Sequence, residues 1–512
     1  MIQVRLNKPG YEYDIHSLIR AFYPGEEVRV KADASADTKE PAAPDMRIDY
    51  LEKSIRIAWD MPSALKEFPA EFSDRVETKN RLKRNLYELL SAHTGRTLPW
   101  GTLTGIRPVK LPMKMLEEGR CRDEIAAFMQ RTYLTSPEKT ELSIDIAERE
   151  LALLKKIDYV NGYSLYVGIP FCPTTCLYCS FTSFPLSLWR ERVDAYLEAL
   201  ERELDFVAGR FAAKHLNAVY IGGGTPTTLE PDQLERLIRD IKSRFDLSHC
   251  LEFTVEAGRP DSITREKLAV LREQGISRIS INPQTMKQET LRLIGRQHTV
   301  EQTVESFWTA RRLGFDNINM DLIMGLPGES VEDVRQTLAQ IKALAPDNLT
   351  VHSLALKRAA KLNMQWENYK DFQMVNTQEH MDLAAVCARE TGLFPYYLYR
   401  QKSMAGNLEN VGYAAPGKAG VYNVLIMEEK QTIMAVGAGA ATKLVLPPDA
   451  RKALEAQAKR QAELSSEKGC DPASASAPAR YIFRAENVKD VALYIKKVDE
   501  MVERKKKLFE NG

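Results

Sequence analysis

The chain has 512 residues, 44% of them apolar, enough for roughly two to four domains and a large buried core. Its 71 Lys and Arg against 70 Asp and Glu leave a formal charge of +1, which argues against a bulk electrostatic grip on nucleic acid or an anionic membrane. No run of about 18 apolar residues appears, and residues 1–30 are studded with charges, so the sequence predicts a cytoplasmic chain with no signal peptide and no membrane span.

Residues 1–155 read as an α+β module whose role the sequence does not disclose. Strands are expected over 2–6, 27–30 and 47–59, and helices over 72–92 and 136–156. The acidic, Ala/Pro-rich segment 33–45 reads as a surface loop. Residues 156–360 alternate short β-branched or aromatic runs with amphipathic stretches. Strands are expected over 165–169, 218–221, 251–256, 278–281, 317–323 and 349–354, and helices over 189–207, 231–245, 264–273, 300–313 and 331–344. Pro231 and Ser330 stand at helix starts, and Gly314 follows a helix end. This alternation predicts an α/β fold with right-handed crossovers, a partial parallel (β/α)6 barrel whose chemistry collects at the C-terminal strand ends. Residues 361–512 form a C-terminal extension expected to cover or complete the active site. It has strands over 396–399, 421–428 and 432–436, a linker at 471–480 and a helix over 488–508. The basic run 504–507 reads as a solvated face.

The first strand of the alternating region runs into Pro170-Phe-Cys-Pro-Thr-Thr-Cys-Leu-Tyr-Cys179, which spaces Cys172, Cys176 and Cys179 as C-x3-C-x2-C. Three thiolates on one tight loop suit a soft metal or an iron–sulfur cluster. A structural zinc site would usually add a second cysteine pair, and none follows. Cys121, Cys250, Cys387 and Cys470 are isolated and read as small buried hydrophobes. Three ligands on a four-iron cluster leave one iron open to chelate the amino and carboxylate groups of a methionine unit. Reductive cleavage of a sulfonium held there would yield a deoxyadenosyl radical.

Tyr166-Val-Gly-Ile-Pro-Phe-Cys172 and the triple cysteine resemble the radical S-adenosylmethionine superfamily, and more narrowly the oxygen-independent coproporphyrinogen III oxidase (coproporphyrinogen dehydrogenase) family. The resemblance covers residues 164–356 well and extends loosely to about 443. Thr104-Gly-Ile-Arg-Pro108 suggests the paralogue branch with an extra N-terminal module.

The resemblance implies a [4Fe-4S] cluster on Cys172, Cys176 and Cys179 with S-adenosylmethionine bound at it, and extends to a second S-adenosylmethionine. Tyr166, Tyr178 and Gly223 match positions that contact the first molecule; the alternatives are ring packing for the tyrosines and a tight turn for the glycine. Gly224 and Thr225 match positions for the second. Glu256 falls in an ExxxP-like element, against the alternative of a rim salt bridge. Gln284, Arg296, Asp321 and Ala355 match the second-molecule positions without a gap. Asp321, an acid inside an apolar strand, is the stronger physical candidate of the two carboxylates. No catalytic residue is assigned beyond the cluster. The chain departs from the family at Gly168, where many members have His, and at Phe181, which replaces a fourth, non-ligating Cys. The Phe-Gln pair expected after Tyr399 and the HN-x-x-YW segment of the haem-chaperone branch are absent.

The expected function is oxygen-independent oxidative decarboxylation of coproporphyrinogen III to protoporphyrinogen IX, in porphyrin and haem biosynthesis. Arg400, Lys402 and Lys418 are candidate propionate partners. The resemblance also implies a tetrapyrrole substrate, a reduced flavodoxin- or ferredoxin-type electron donor, no nucleic acid partner and a monomer. A haem-binding chaperone, or another radical enzyme acting on haem or tetrapyrroles, stays open as an alternative.

Overall fold

The computed structural model describes residues 1–32, 45–60, 63–355, 376–401, 408–454 and 481–511, together with 360, 364, 456 and 457. The expected loop at 33–45, the linker at 471–480, Lys402 and Cys470 fall wholly or almost wholly outside these residues.

The N-terminal part holds β1 (Ile2–Leu6), α1 (Glu12–Phe22), β2 (Val28–Ala32), β3 (Met46–Tyr50), β4 (Ser54–Asp60) and β5 (Ser63–Pro69). These strands form one sheet in the order β2-β1-β3-β4-β5. The single strand expected over 47–59 is two antiparallel strands, and β5 adds a third beside them. A turn at 51–53 breaks the run because Glu52 and Lys53 cannot continue the buried alternation. Helix α2 (Arg75–Thr94) starts where the Asp74 side chain accepts from the Val76 and Glu77 amides. Ile15, Ile19, Ile55, Ile57, Leu86 and Leu90 help fill a separate core here. Helices α3 (Lys110–Glu117), α4 (Arg122–Tyr133) and α5 (Pro137–Leu154) follow. Trp100, Met113, Ile146 and Leu154 pack into the larger core instead.

The larger sheet contains the six expected parallel strands: β6 (Gly162–Ile169), then, after the two-residue pair β7 (Phe171–Cys172) and β8 (Phe184–Pro185), β9 (His215–Gly223), β10 (Glu252–Gly258), β11 (Arg278–Ile281), β12 (Ile318–Met324) and β13 (Asn348–Ser353). Between them run α6 (Val193–Arg210), α7 (Pro231–Arg244), α8 (Arg265–Glu273), α9 (Gln288–Leu293), α10 (Val300–Arg312) and α11 (Val331–Leu344). Side chains of Thr264, Thr299 and Ser330 cap three of these helices. Gly314 takes φ +91° just past α10.

The C-terminal extension builds onto both edges. Helix α12 (Gln378–Glu390) leads to β14 (Phe394–Tyr399) and β15 (Asn410–Ala414), antiparallel additions beside β13. Helix α13 (Val421–Glu428) replaces the strand expected there. Gly420 and Val421 open it, and the Val421 amide donates to Glu252 Oε2 at 2.6 Å. β16 (Thr432–Val436) then pairs parallel with β6 as a seventh parallel strand, followed by β17 (Ala441–Val445) and β18 (Ile482–Glu486). The terminal helix expected over 488–508 is two, α14 (Val491–Lys496) and α15 (Val498–Asn511).

Polar joints fasten the N-terminal part to this extension, among them those of Glu409 and Arg107. Glu409 accepts from Trp100 Nε1 at 2.7 Å and pairs with Lys139 at 2.5 Å. Arg107, in the Thr104–Pro108 motif, donates to Met427 O and pairs with Glu429, each at 2.7 Å.

Among the described residues no helix is long and apolar enough to cross a membrane. The basic run 504–507 is not simply a solvated face: Lys505 is fully buried and paired with Glu203, whose position 302 residues away could not be read from the run itself. Cys121 is exposed at the start of α4, not buried, while Cys387 is buried as expected.

Candidate functional site

The side chains that face inward from a closed barrel are ordinarily bulky and branched, and they fill it. Here the concave face carries Glu256 of β10, Arg278 and Ser280 of β11, Asn319 and Asp321 of β12, and Thr350 and His352 of β13. These alternate positions line a cavity of about 250 Å³ that also takes in Cys172, Cys176 and Cys179. A polar lumen cannot close on itself by apolar packing, so the space persists. Tyr397 of β14 and Asn423 of α13 line the same cavity, so the C-terminal extension contributes to its wall.

At the mouth, Cys172 and Cys176 are buried and Cys179 is partly so. Burial pushes the Cys172 thiol up to about 11, the neighbouring sulfurs adding to it while the Thr225 hydroxyl and Arg259 oppose it. Burial raises Cys179 as well. Three such thiols ionise together only around a positive centre. No three His, Cys, Asp or Glu side chains among the described residues converge to hold one metal ion. Sulfurs on a four-iron cluster each bind a different iron and stand further apart than ligands of a single ion, so this donor set fits a cluster with one iron left free of protein. Arg259, 3% exposed, points Nη1 at Cys176 Sγ from 3.5 Å while Nη2 pairs with Asp261 at 2.6 Å. Such a donor would offset the charge of a cluster held there and tune its potential.

The glycine turn comes next. Gly223 adopts φ +112°, and a β-carbon on Gly224 would stand 2.5 Å from Phe171 O, so only glycine allows this close approach to the cysteine loop. Thr225 is buried, its hydroxyl 3.5 Å from Cys172 Sγ.

Deeper in, Glu256 is raised to about 7 by burial, against the hydrogen bond from Tyr220 and with the added repulsion of Asp321. Asp321 goes the other way. Burial opposes its ionisation, but His352, 3.7 Å away, and the Asn319 amide at 2.7 Å outweigh it and hold the carboxyl below its usual range. The neighbouring carboxyls are thus pushed apart. Gln284, just past β11, has φ +69°. Its amide donates to Asp321 O and its carbonyl accepts from Ile323, both at 2.9 Å, while its side-chain Oε1 is buried without a partner. A strained backbone that presents an unpaired acceptor is a ligand-site signature. Arg296 donates to Asn282 O and, at 3.2 Å, to the Tyr178 hydroxyl.

The structure therefore gathers Tyr178, Gly223, Gly224, Thr225, Glu256, Gln284, Arg296 and Asp321 with the three cysteines around one cavity. Ala355 lines an adjoining cavity of about 170 Å³, which shares Tyr178, Cys179, Gln284 and Asp321 with the first. Tyr166 stands apart from both linings. Its ring stacks on Tyr220 and Tyr422 with centroids 6.2 and 6.3 Å away. Arg400 is no propionate partner: it is buried and donates to Leu103 O at 2.6 Å. Lys418 pairs with Asp316 at the opposite, N-terminal end of the strands. At Gly168 a β-carbon would meet Val436 O of β16 at 3.3 Å, so the seventh strand crowds this position.

Sequence reasoning missed Arg259, Arg278, Tyr220, His352 and Asn423. Arg259 was within reach, since it sits in the same Glu256–Pro260 element; the others become visible only once the inward face of each strand is known.

Residues 166–341 match the radical SAM superfamily. A Bacillus subtilis (strain 168) protein named "Oxygen-independent coproporphyrinogen-III oxidase-like protein HemZ" is 44% identical over 374 residues, 72% of this chain and 74% of that one. The "Heme chaperone HemW" of the same organism is 38% identical over 198 residues, 38% of this chain and 51% of that one, so the chain spans about half of it. Among solved structures, coproporphyrinogen III oxidase (HemN) from Escherichia coli aligns with a TM-score of 0.49 at 24% identity, covering 69% of this chain and 73% of that one.

Proposed function

The chain belongs to the oxygen-independent coproporphyrinogen-III oxidase-like family of the radical SAM superfamily, whose members work with a [4Fe-4S] cluster and S-adenosylmethionine, and from that footing we propose that it oxidatively decarboxylates the propionate side chains of coproporphyrinogen III. The observation that carries this reading is the single cavity that joins the three thiols to a polar lumen. A carboxylate-bearing substrate can thereby lie within reach of the chemistry at the cysteine loop.

Bound together, the cluster and S-adenosylmethionine would supply a 5′-deoxyadenosyl radical by one-electron reductive cleavage. Cys172, Cys176 and Cys179 would hold the cluster. Gly223 and Gly224 would bring bare backbone against the cofactor, and Arg259 and Arg296 set positive charge beside the cysteine sulfurs. Glu256, Gln284 and Asp321 orient bound molecules through unpaired or tunable acceptors. Helix α13 and β14 wall the lumen. For each propionate, one hydrogen atom and one electron leave, and CO2 departs as the vinyl forms. The charge lost with the carboxylate goes as that electron, to a one-electron acceptor. A reduced flavodoxin- or ferredoxin-type protein suits the donor role.

The test is anaerobic reconstitution with dithionite, S-adenosylmethionine and coproporphyrinogen III. The expected result is vinyl product and CO2 matched by 5′-deoxyadenosine, all abolished in Cys176→Ala. Deoxyadenosine without a vinyl product would overturn the decarboxylase reading. Stoichiometric haem binding without deoxyadenosine would favour a chaperone instead.

A further inference from the structure

Arg278 opens β11 at the bottom of the lumen and is 1% exposed, yet its Nε and Nη2 have no hydrogen-bond partner. A guanidinium stays charged in any protein environment, and buried donors left without acceptors are costly. The nearby Glu252 carboxylate attracts it through space but gives Nε and Nη2 no hydrogen bond. Its oxygens already accept from the Val421 amide at 2.6 Å, the Thr254 hydroxyl at 3.0 Å and the Tyr422 amide at 3.4 Å. The Tyr396 hydroxyl is likewise committed, to the Asn423 amide at 3.0 Å. A β-carbon on Gly420 would stand 3.5 Å from the Arg278 guanidinium carbon and 3.0 Å from Asn423 Nδ2, so glycine keeps both donors unobstructed.

Resting on the function proposed above, we infer that Arg278, with Asn423 beside it, is a carboxylate-binding subsite on the lumen floor. Its fork of donors matches a carboxylate in a bidentate grip. Three residue steps, about 10 Å of strand, separate Arg278 from the C-terminal end of β11, so a molecule held there by its carboxylate presents its other end near the cysteine loop. Two sources share this chemistry: a propionate of the tetrapyrrole, or the methionyl carboxylate of an S-adenosylmethionine.

The experiment measures binding, not turnover, on the cluster-reconstituted protein under anaerobic conditions. One arm titrates coproporphyrin III and the other S-adenosylmethionine, for wild type, Arg278→Gln and Asn423→Asp. Arg278→Gln is expected to weaken one arm at least about tenfold, the loss of a charge-assisted pair. The affected arm names the source. Asn423→Asp places a carboxylate of the chain's own beside the guanidinium. It should reproduce the affinity loss while leaving the melting temperature at or above that of wild type, and it decides the matter if Arg278→Gln does not fold. Both arms unchanged in the folded variants would overturn the subsite. Wild type that binds no coproporphyrin would count against the proposed function alone, and the S-adenosylmethionine arm would still decide Arg278.

Discussion

Two of the buried polar groups in this molecule differ in how fully they are paired. Around Glu203 every acceptor is used. Its carboxylate takes Gly437 N at 2.8 Å, Asn487 Nδ2 at 3.0 Å, the Tyr494 hydroxyl at 2.5 Å and Lys505. Lys505 in turn donates to Asn487 Oδ1 at 2.7 Å. In the lumen, by contrast, Arg278, Asn282 and Gln284 each keep a buried atom without a partner. Burial alone therefore does not separate structure from function. Completed pairing suits the Glu203 group to fastening α15 and the chain just past β18 onto α6, whereas incomplete pairing in the wall of a cavity suits the lumen to receiving a ligand.

Substitution should separate the two in opposite readouts. The largest effect is expected from Glu203→Ala, which strands the Lys505 charge and should cost about 3–5 kcal/mol, read as a lower denaturation midpoint. Next comes a pH effect in the lumen. An unfolded glutamate titrates near 4.3, whereas Glu256 is raised to about 7, so both states are protonated at low pH and only the unfolded chain ionises in between. The ligand-free protein should lose stability as pH climbs from about 4.3 to about 7, by up to about 4 kcal/mol from this carboxyl. Glu256→Gln should flatten part of that fall in a melting series. Part will remain, because burial raises Glu329 to about 7 as well. Smaller again, Gln284→Gly should leave the melting temperature undiminished, since glycine suits φ +69°, yet weaken S-adenosylmethionine binding about tenfold, or about 1.4 kcal/mol, in equilibrium titration. Least of all, Lys418→Ala removes an exposed pair with Asp316 and should shift stability by no more than about 0.5 kcal/mol with no change in ligand affinity. A Glu203 variant that lost ligand affinity at unchanged stability would erase the distinction.

How far these features were legible depended on how local their causes are. The barrel strands show in the sequence because their β-branched runs alternate with capped helices, and the cysteine spacing is contained in eight residues. The run Val421-Tyr-Asn-Val-Leu-Ile-Met-Glu428 misleads because a short apolar stretch reads equally as strand or buried helix. What decides it is Glu252, 169 residues earlier, accepting the first amides of the helix. Lys505 hides in a charge run for the same reason: its partner is remote. Arg278 and His352 gain meaning only from the side of the strand on which they lie. Arg400 was misassigned because an arginine after a strand looks like a surface cation until its carbonyl partners in the N-terminal part are seen.

The pairing of β16 with β6, Ala435 opposite Tyr166 and Val436 opposite Val167, fixes an order of events during synthesis. While the ribosome makes the chain, β6 can recruit β9 within about fifty residues, but its other edge waits some 270 residues for its neighbour. Throughout that interval an open strand edge stands beside the cysteine loop, a template for pairing between nascent chains. Chains cut short before residue 432 should therefore collect in aggregates, and stable loading of iron and sulfide should await the last sixth of translation.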